Sequence, residues 1–362
     1  MRVLFVIGNN YLPQSAGGVE SSTHQLCEAL QNNNIKCAVL ASLSNKKDSI
    51  FYKNRIISKL TNTYAPSDFY KGYAVFRGWD ASCALKSVIK KFKPSVVVVQ
   101  SGEPAKLVKI SLGLSCKTIA YIRDVEFDLH GGDYLPHPNL TVIANSQFTS
   151  NVFYKNFGIH SEVISPSIDQ KKYLISTPKK VVKKVVFINP HLCKGVDIAI
   201  NLAKLNKDIP FLFVESWLLS NEDKSYYLTK IKNLPNVECL PRQSNMRHIY
   251  EQAKVILMPS IWEEAWGRVA SEAHVNGIPV LASNIGGLPE SVGTGGILLD
   301  PLIDINEWSK ALNDMWNNTK LYQKLSQDAI VYSKRKEIQL SYITDRFIQH
   351  VQYVDKLDII KV

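Results

Sequence analysis

Apolar runs of strand length alternate with longer segments of helical periodicity along this chain, and the series occurs twice. Val3–Ile7, Cys37–Ala41, Val96–Val99, Thr118–Ile122 and Thr141–Ala144 are short runs with few or no polar interruptions, and a helix is expected from about Ser21 to Asn32. A strand that is apolar at successive positions has no face for solvent, so helices must cover both sides of its sheet. That pattern predicts a parallel, doubly wound sheet. It breaks at Pro166-Ser-Ile-Asp169, crosses a polar, Lys-rich stretch and resumes at Val185–Ile188. Strands are then expected at Phe211–Val214, Val237–Leu240, Val255–Met258 and Pro279–Ala282, with helices at Asp197–Lys204, around Asp223–Lys232, at Met246–Ala253 and near Gly267–Asn276. The expected fold is α/β. Two Rossmann-like, doubly wound parallel-sheet domains (1–165 and 185–340) are joined by a linker (166–184). Residues 341–362 carry Ile343, Phe347, Val351 and Val354 at helical spacing, a helix expected to pack back toward the N-terminal domain.

Composition removes other classes. Two domains suit 362 residues, and 45% hydrophobic with 21% charged residues is ordinary for a globular chain. No apolar run approaches the roughly 20 residues of a spanning helix. The start, MRVLFVIGNN, reads as a first strand rather than a signal peptide. The six cysteines are scattered without a C-x-x-C pair, so neither a disulfide scaffold nor a zinc site is expected. The expected location is the cytoplasm. A net charge of +11 points to an anionic partner. Its densest part, residues 46–93, holds 11 basic and 3 acidic side chains with Phe51, Tyr52, Phe69, Tyr70, Tyr73, Phe76 and Trp79 among them. This stretch reads either as a solvated face over an ordinary core or as a contact with the anionic inner face of the cytoplasmic membrane. No nucleic-acid motif accompanies it.

Open parallel sheets bind ligands beyond the carboxyl ends of their strands, so with two sheets the cleft between them is the default site. Fold alone gives no activity. The most informative loop follows Met258: a strand ends at Pro259-Ser260, and Ile261–Trp266 leads into a helix starting near Gly267. A helix N-terminus offers unpaired N–H groups and partial positive charge, which suits phosphate. Glu264 and Glu272 are eight residues apart, on the order of 12 Å along a helix axis. They could hold hydroxyls on either side of a diphosphate, since carboxylates accept several hydrogen bonds.

The string from Pro259 to Glu290 resembles the C-terminal signature of retaining family 4 glycosyltransferases, the glycosyl transferases group 1 of GT-B fold. Pro259, Ser260, Glu264, Gly267, Glu272, Ala273, Gly277, Pro279, Val280, Ala282, Ser283, Gly286, Gly287, Pro289 and Glu290 stand in register. Trp266 replaces the usual Phe and Ala265 the usual Pro. The resemblance implies that Glu264 contacts the donor sugar near its anomeric centre and Glu272 holds the ribose. Backbone around Trp266, Gly267, Arg268 and Val269 would meet the sugar or the diphosphate. A second match is Asn189-Pro-His-Leu-Cys-Lys194-Gly195. There the family carries an Arg and a Lys that neutralise the diphosphate. Lys194 and Gly195 are in place, Asn189 holds the Arg position, and Arg242 or Arg268 could restore the lost charge. After Phe211–Val214 the chain reads Glu215-Ser216-Trp217, where many relatives have a Gly-x-Gly loop.

In the first domain, Gly17-Gly18 follows the first strand at the start of a helix. Paired glycines let a backbone approach a ligand closely, and the family uses this loop near the donor phosphate and the acceptor. Arg123 stands where the family often has a His. Arg cannot shuttle a proton near pH 7, but it can stabilise a departing phosphate. His130 and His137 lie in a Gly-Pro-rich loop that could face the cleft, and Asn145-Ser146 matches a further family feature.

The activity implied is retaining transfer of a hexose-type sugar from a nucleoside-diphosphate sugar to a hydroxyl of a glycan or lipid-linked acceptor, as in bacterial surface-polysaccharide synthesis. Glu264, Arg123 and Lys194 are the expected catalytic residues, with Gly17, Gly18, Asn189, Gly195, Arg242, Trp266, Gly267, Arg268, Val269 and Glu272 on the donor. No metal and no resident cofactor are expected. The alternatives are a GT-B nucleotide-sugar epimerase and a non-catalytic nucleotide-sugar-binding partner of another transferase.

Overall fold

The computed structural model of the chain describes residues 1–15, 17–175, 181–216, 219–243 and 245–359. They fall into two units, Met1–Ser167 with Ser341–Val362, and Ile168–Leu340.

Unit 1 runs β1 (Arg2–Asn10), α1 (Gly18–Asn32), β2 (Lys36–Ser42), α2 (Ser49–Thr61), β3 (Ser67–Tyr70), β4 (Tyr73–Gly78), α3 (Ala81–Phe92), β5 (Val96–Ser101), α4 (Pro104–Gly113), β6 (Thr118–Ile122), β7 (Leu140–Ala144), α5 (Gln147–Phe157) and β8 (Glu162–Val163). The sheet order is β3-β4-β2-β1-β5-β6-β7-β8. Every pairing is parallel except β3 with β4. The period of two sorts each apolar run into two cores. Val3, Phe5, Ile7, Val96 and Val98 join one face. Leu4, Val6, Val97 and Val99 join the other, under α3 and α4.

Unit 2 runs α6 (Gln170–Tyr173), β9 (Lys184–Ile188), α7 (Val196–Leu205), β10 (Phe211–Val214), α8 (Asn221–Ile231), β11 (Val237–Leu240), α9 (Arg247–Gln252), β12 (Ala253–Met258), α10 (Arg268–His274), β13 (Val280–Ser283), α11 (Leu288–Val292), β14 (Gly296–Leu299), α12 (Ile305–Asn317) and α13 (Thr319–Ser333). Its sheet is parallel throughout, in the order β11-β10-β9-β12-β13-β14. The order reverses between β9 and β12. The loops after those two strands therefore flank a crevice at their carboxyl ends.

The last helix, α14 (Leu340–Lys356), returns to unit 1. Its Ile343, Phe347, Val351 and Val354 complete the core around Phe5 and Tyr121, and Phe347 stacks on Phe5 with centroids 5.8 Å apart.

The passage between units sits at Ser167 and Ile168, and much of the stretch expected as a linker is part of unit 2. Ile168 is buried and donates its N–H to the Ile338 carbonyl at 3.2 Å. Tyr173 and Ile175 pack on the core that contains Val186 and Tyr250. Apolar spacing this short carries no periodic signal, so the segment reads as linker from composition. Residues 176–180 of that stretch, Trp217 and the final 360–362 lie outside the described residues.

Candidate functional site

The crevice of unit 2 gathers residues from the loops after β9 and β12. Gly195 makes this possible. Its φ is +76°, and a Cβ there would lie 1.8 Å from the Pro259 carbonyl oxygen, so the β9 loop meets the β12 loop backbone to backbone. The Ile261 N–H donates to the Cys193 carbonyl at 3.0 Å and ties them further. Lys194 Nζ then lies 3.0 Å from Glu264 Oε1, with both side chains largely buried. Ser260 Oγ donates to the same Glu264 oxygen, and the Lys194 ammonium sits 5.0 Å from the Trp262 ring centroid. Asn189, Lys194, Ser260, Glu264 and Val269 line one pocket of about 40 Å³. That is room for little more than a water, so a larger ligand must part the Lys194–Glu264 pair or lie across its mouth.

The downstream glycines hold Glu264 in place. Gly286 has φ +60°, and a Cβ on it would come within 2.6 Å of the Glu264 carbonyl oxygen. The Gly287 N–H donates to that carbonyl at 2.6 Å. The paired glycines thus support the backbone of the Glu264 loop.

Glu272 is built differently. It lies on α10 with only 8% of its surface exposed. Tyr250 Oη donates to its Oε2 at 2.7 Å, and Arg268 Nε stands 3.5 Å from its Oε1. Burial, then Glu272, pushes the Tyr250 phenol well above its ordinary range, and the same two causes push Tyr173 up to about 12. Burial alone would lower the Arg268 guanidinium, but Glu272 and Tyr173 outweigh it and the group is raised. A carboxylate, a guanidinium and two neutral phenols form one buried network. Arg268 is neutralised inside it and does not replace the missing family Arg as a free cation.

Asn189 occupies that Arg position with φ +63° and accepts the Ser216 N–H on its Oδ1 at 2.9 Å. Its side chain joins the ends of β9 and β10. Arg242 stands exposed in the loop after β11 and is not among the pocket-lining residues. Trp266 is 5% exposed, with Nε1 donating to Ser271 Oγ at 3.3 Å and the Arg335 guanidinium 5.7 Å from its ring. Its indole packs in the unit rather than presenting a face to ligand. Gly267 precedes α10 in a left-handed conformation, φ +89°.

In unit 1, Gly17 caps α1 in extended backbone and, with Gly18, is exposed. Arg123 follows β6, buried, with Nη2 donating to Gln100 Oε1 at 2.6 Å and its guanidinium 3.5 Å from the Tyr121 ring centroid. Gln100 Nε2 in turn donates to Thr23 Oγ1 at 2.9 Å. The guanidinium is thus fixed at the carboxyl end of the sheet. Asn145 Nδ2 donates to the Arg123 carbonyl at 3.2 Å. His130 is an internal residue, with Nδ1 2.9 Å from Tyr134 Oη and Nε2 2.5 Å from Asp124.

Ser260, Trp262, Tyr250 and Tyr173 were not legible as site residues. Tyr250 and Tyr173 stand in no recognisable motif, and only the fold brings them to Glu272. Among the described residues, no group of three or more His, Cys, Asp or Glu side chains is placed to hold a metal ion.

Residues 167–331 match the family described as Glycosyl transferases group 1. Unit 2 is a glycosyl transferases group 1 domain. D-inositol 3-phosphate glycosyltransferase of Paenarthrobacter aurescens is 33% identical over 87 residues, which is 24% of this chain and 21% of that protein. The chain's match thus spans about a fifth of the curated relative's length. Two solved structures resemble the whole chain. Anabaena Alr3699/HepE in complex with UDP and glucose has a TM-score of 0.76 at 17% identity, covering 98% of this chain and 100% of that one. A glycosyltransferase from Rickettsia africae has a TM-score of 0.73 at 16% identity, covering 99% of each. Together with the two parallel-sheet units, they establish the GT-B fold expected from the sequence.

Proposed function

We propose that the chain is a retaining glycosyltransferase that moves a hexose-type sugar from a nucleoside-diphosphate sugar to a hydroxyl of a glycan or lipid-linked acceptor. The observation that carries this reading is the Lys194–Glu264 pair at the β9/β12 crevice. A cation and a carboxylate side by side match the two ends of such a donor: Lys194 takes the diphosphate, and Glu264 accepts hydrogen bonds from sugar hydroxyls. Glu272, on the same helix that Gly267 starts, takes the ribose hydroxyls with lone pairs not used by Tyr250 and Arg268. The Anabaena structure, which holds UDP and glucose on the same fold, supports a uridine nucleotide as the first to try.

In the reaction, the bond from the anomeric carbon to the leaving phosphate oxygen breaks as the acceptor hydroxyl attacks from the same face. Its proton passes to the departing phosphate. A two-carboxylate scheme would need a second acid flanking that bond, and Glu264 is paired instead with a lysine. The protein's part is to position the reactants and stabilise leaving-group charge. Lys194 does so in unit 2. In unit 1 the candidate is Arg123, whose charge is fixed and which has no proton to shuttle near pH 7. The loss of one family cation at Asn189 places more of that stabilisation on Lys194, and the reading keeps the reaction free of metal.

Among the described residues, no helix is long and apolar enough to cross a membrane. A surface attachment is supported by α2. Tyr52, Ile56 and Leu60 form an exposed stripe at helical spacing, with Lys53, Arg55 and Lys59 exposed around it. An apolar stripe with a basic surround suits an anionic bilayer, where a lipid-linked acceptor resides.

Calorimetric titration with UDP tests the donor site. Binding to the wild type is expected, weakened at least about tenfold in Lys194→Ala, since a charged hydrogen bond is worth roughly 1.5–3 kcal/mol. Equal binding by both proteins contradicts the assignment of Lys194.

A further inference from the structure

The β9 loop carries a second chemical group, directly beside Lys194. Cys193 Sγ lies 3.0 Å from His191 Nδ1. The Cys193 N–H also donates to that nitrogen, at 3.2 Å. Two donors converge on Nδ1, so Nδ1 is the unprotonated nitrogen and the ring proton sits on Nε2. Nε2 faces Asp223 Oδ1 at 3.7 Å. The other Asp223 oxygen is engaged at the start of α8, where Ser220 Oγ donates to Oδ2 at 2.8 Å. A thiol and a base that faces it are therefore adjacent, with a carboxylate near the base's other nitrogen, a grouping of the kind that activates a cysteine nucleophile.

We propose that Cys193 is a peroxide-oxidisable thiol, activated by His191, and that its oxidation weakens ligand binding at the Lys194 loop.

The other five cysteines lack this setting among the described residues. Cys27 and Cys37 are buried in the unit 1 core, and burial pushes the Cys27 thiol well up. Burial raises Cys116, and raises Cys239 to about 11 with Glu215 and Glu238 adding to it. Cys83 is exposed, with its Sγ facing the Asp80 carboxylate at 3.8 Å rather than an imidazole. Cys193 is partly exposed and meets an imidazole.

The thiol proton passes to His191 Nδ1. The thiolate attacks one peroxide oxygen, an S–O bond forms and the O–O bond breaks. The departing hydroxide takes the proton from His191 and leaves as water. Sulfur is oxidised by two electrons, peroxide is reduced by two, and the product is a sulfenic acid. The consequence follows from the backbone. The Cys193 carbonyl holds the Ile261 N–H and its amide is capped by His191, so an oxygen on Sγ displaces His191 and loosens the contact between the Lys194 and Glu264 loops. This consequence rests on the donor-site reading above; the reactivity does not.

Sub-stoichiometric iodoacetamide at pH 7 with peptide mass spectrometry tests the reactivity. Cys193 is expected to be labelled roughly tenfold or more faster than Cys83, as thiolate fraction sets the rate. His191→Asn keeps an acceptor for the Cys193 N–H but cannot take the thiol proton, and is expected to bring Cys193 down to the Cys83 rate. After hydrogen peroxide, dimedone is expected to mark Cys193 in the wild type. Labelling of Cys193 no faster than Cys83, or unchanged in His191→Asn with a wild-type melting curve, overturns the proposal. UDP titration of the peroxide-treated protein tests the consequence. Weaker binding is expected for the wild type and not for Cys193→Ser. Oxidation without loss of binding overturns that half. If untreated protein does not bind UDP, the donor-site reading fails while the labelling result still stands.

Discussion

Lys194 and Glu264 neutralise one another at 3.0 Å, each largely withdrawn from solvent. In that setting a charge left without its partner costs far more than the pair gains. On the proposed donor-site reading, sugar hydroxyls that take over the carboxylate make it easier for a diphosphate to draw Lys194 away from Glu264, which couples the two ends of one donor. A different buried group governs acid stability. Burial, assisted by Arg335, lowers His274 to about 3, with the Gly295 backbone pulling weakly the other way. Its folded value lies below its unfolded value of 6.5, so the stabilisation is present above about pH 6.5 and is lost as pH falls toward 3. Each pH unit in that window is worth up to about 1.4 kcal/mol. Thermal melts from pH 7 to 4 are expected to show a falling midpoint that is flatter in His274→Leu. Parallel curves for the two proteins would remove His274 as the cause.

At the scale of elements, α14 is a structural part of unit 1 although it follows unit 2 in the chain. Phe347 is fully buried between Phe5 and Tyr121. Phe347→Ala is expected to cost about 3–5 kcal/mol and to lower the melting transition of unit 1 more than that of unit 2, read by hydrogen exchange. An equal loss in both units would contradict this placement. For α2, Ile56→Glu with Leu60→Glu alters exposed positions only. Co-sedimentation with vesicles rich in phosphatidylglycerol is expected to fall several-fold for the double variant, since each substitution removes apolar contact and adds repulsion. Unchanged sedimentation would leave the α2 stripe as ordinary surface. The central strands of both sheets were legible because their runs are apolar on both faces, whereas the edge strands β8 and β14 were not named. Nor was the β3–β4 hairpin. Ser67–Tyr70 is a four-residue edge strand with no fully buried side chain, so neither an apolar run nor a period marks it. The reach of Tyr250 to Glu272 was likewise illegible, because contacts across 22 residues follow from packing and not from spacing.

For the whole molecule, two doubly wound units follow from one rule applied twice: apolar strands require helices on both faces, and sequential strand order reverses beside the first strand. The reversal brings the loops after β9 and β12 together, and the residues expected from sequence at those loops, Asn189, Lys194, Gly195 and Glu264, do stand in one crevice. Trp266 and Arg268 lie nearby but are engaged in the unit's own packing and charge network, which local sequence could not reveal. Sugar transfer at this crevice is the central proposal. The most direct test is nucleotide release from UDP-, GDP-, ADP- and TDP-sugars, with and without membrane extract, for the wild type and Glu264→Gln. Release from one donor is expected, raised by the extract, reduced at least about a hundredfold in the variant, with the product keeping the donor's anomeric configuration. Nucleotide binding without release from any donor, or equal release by wild type and variant, would contradict it.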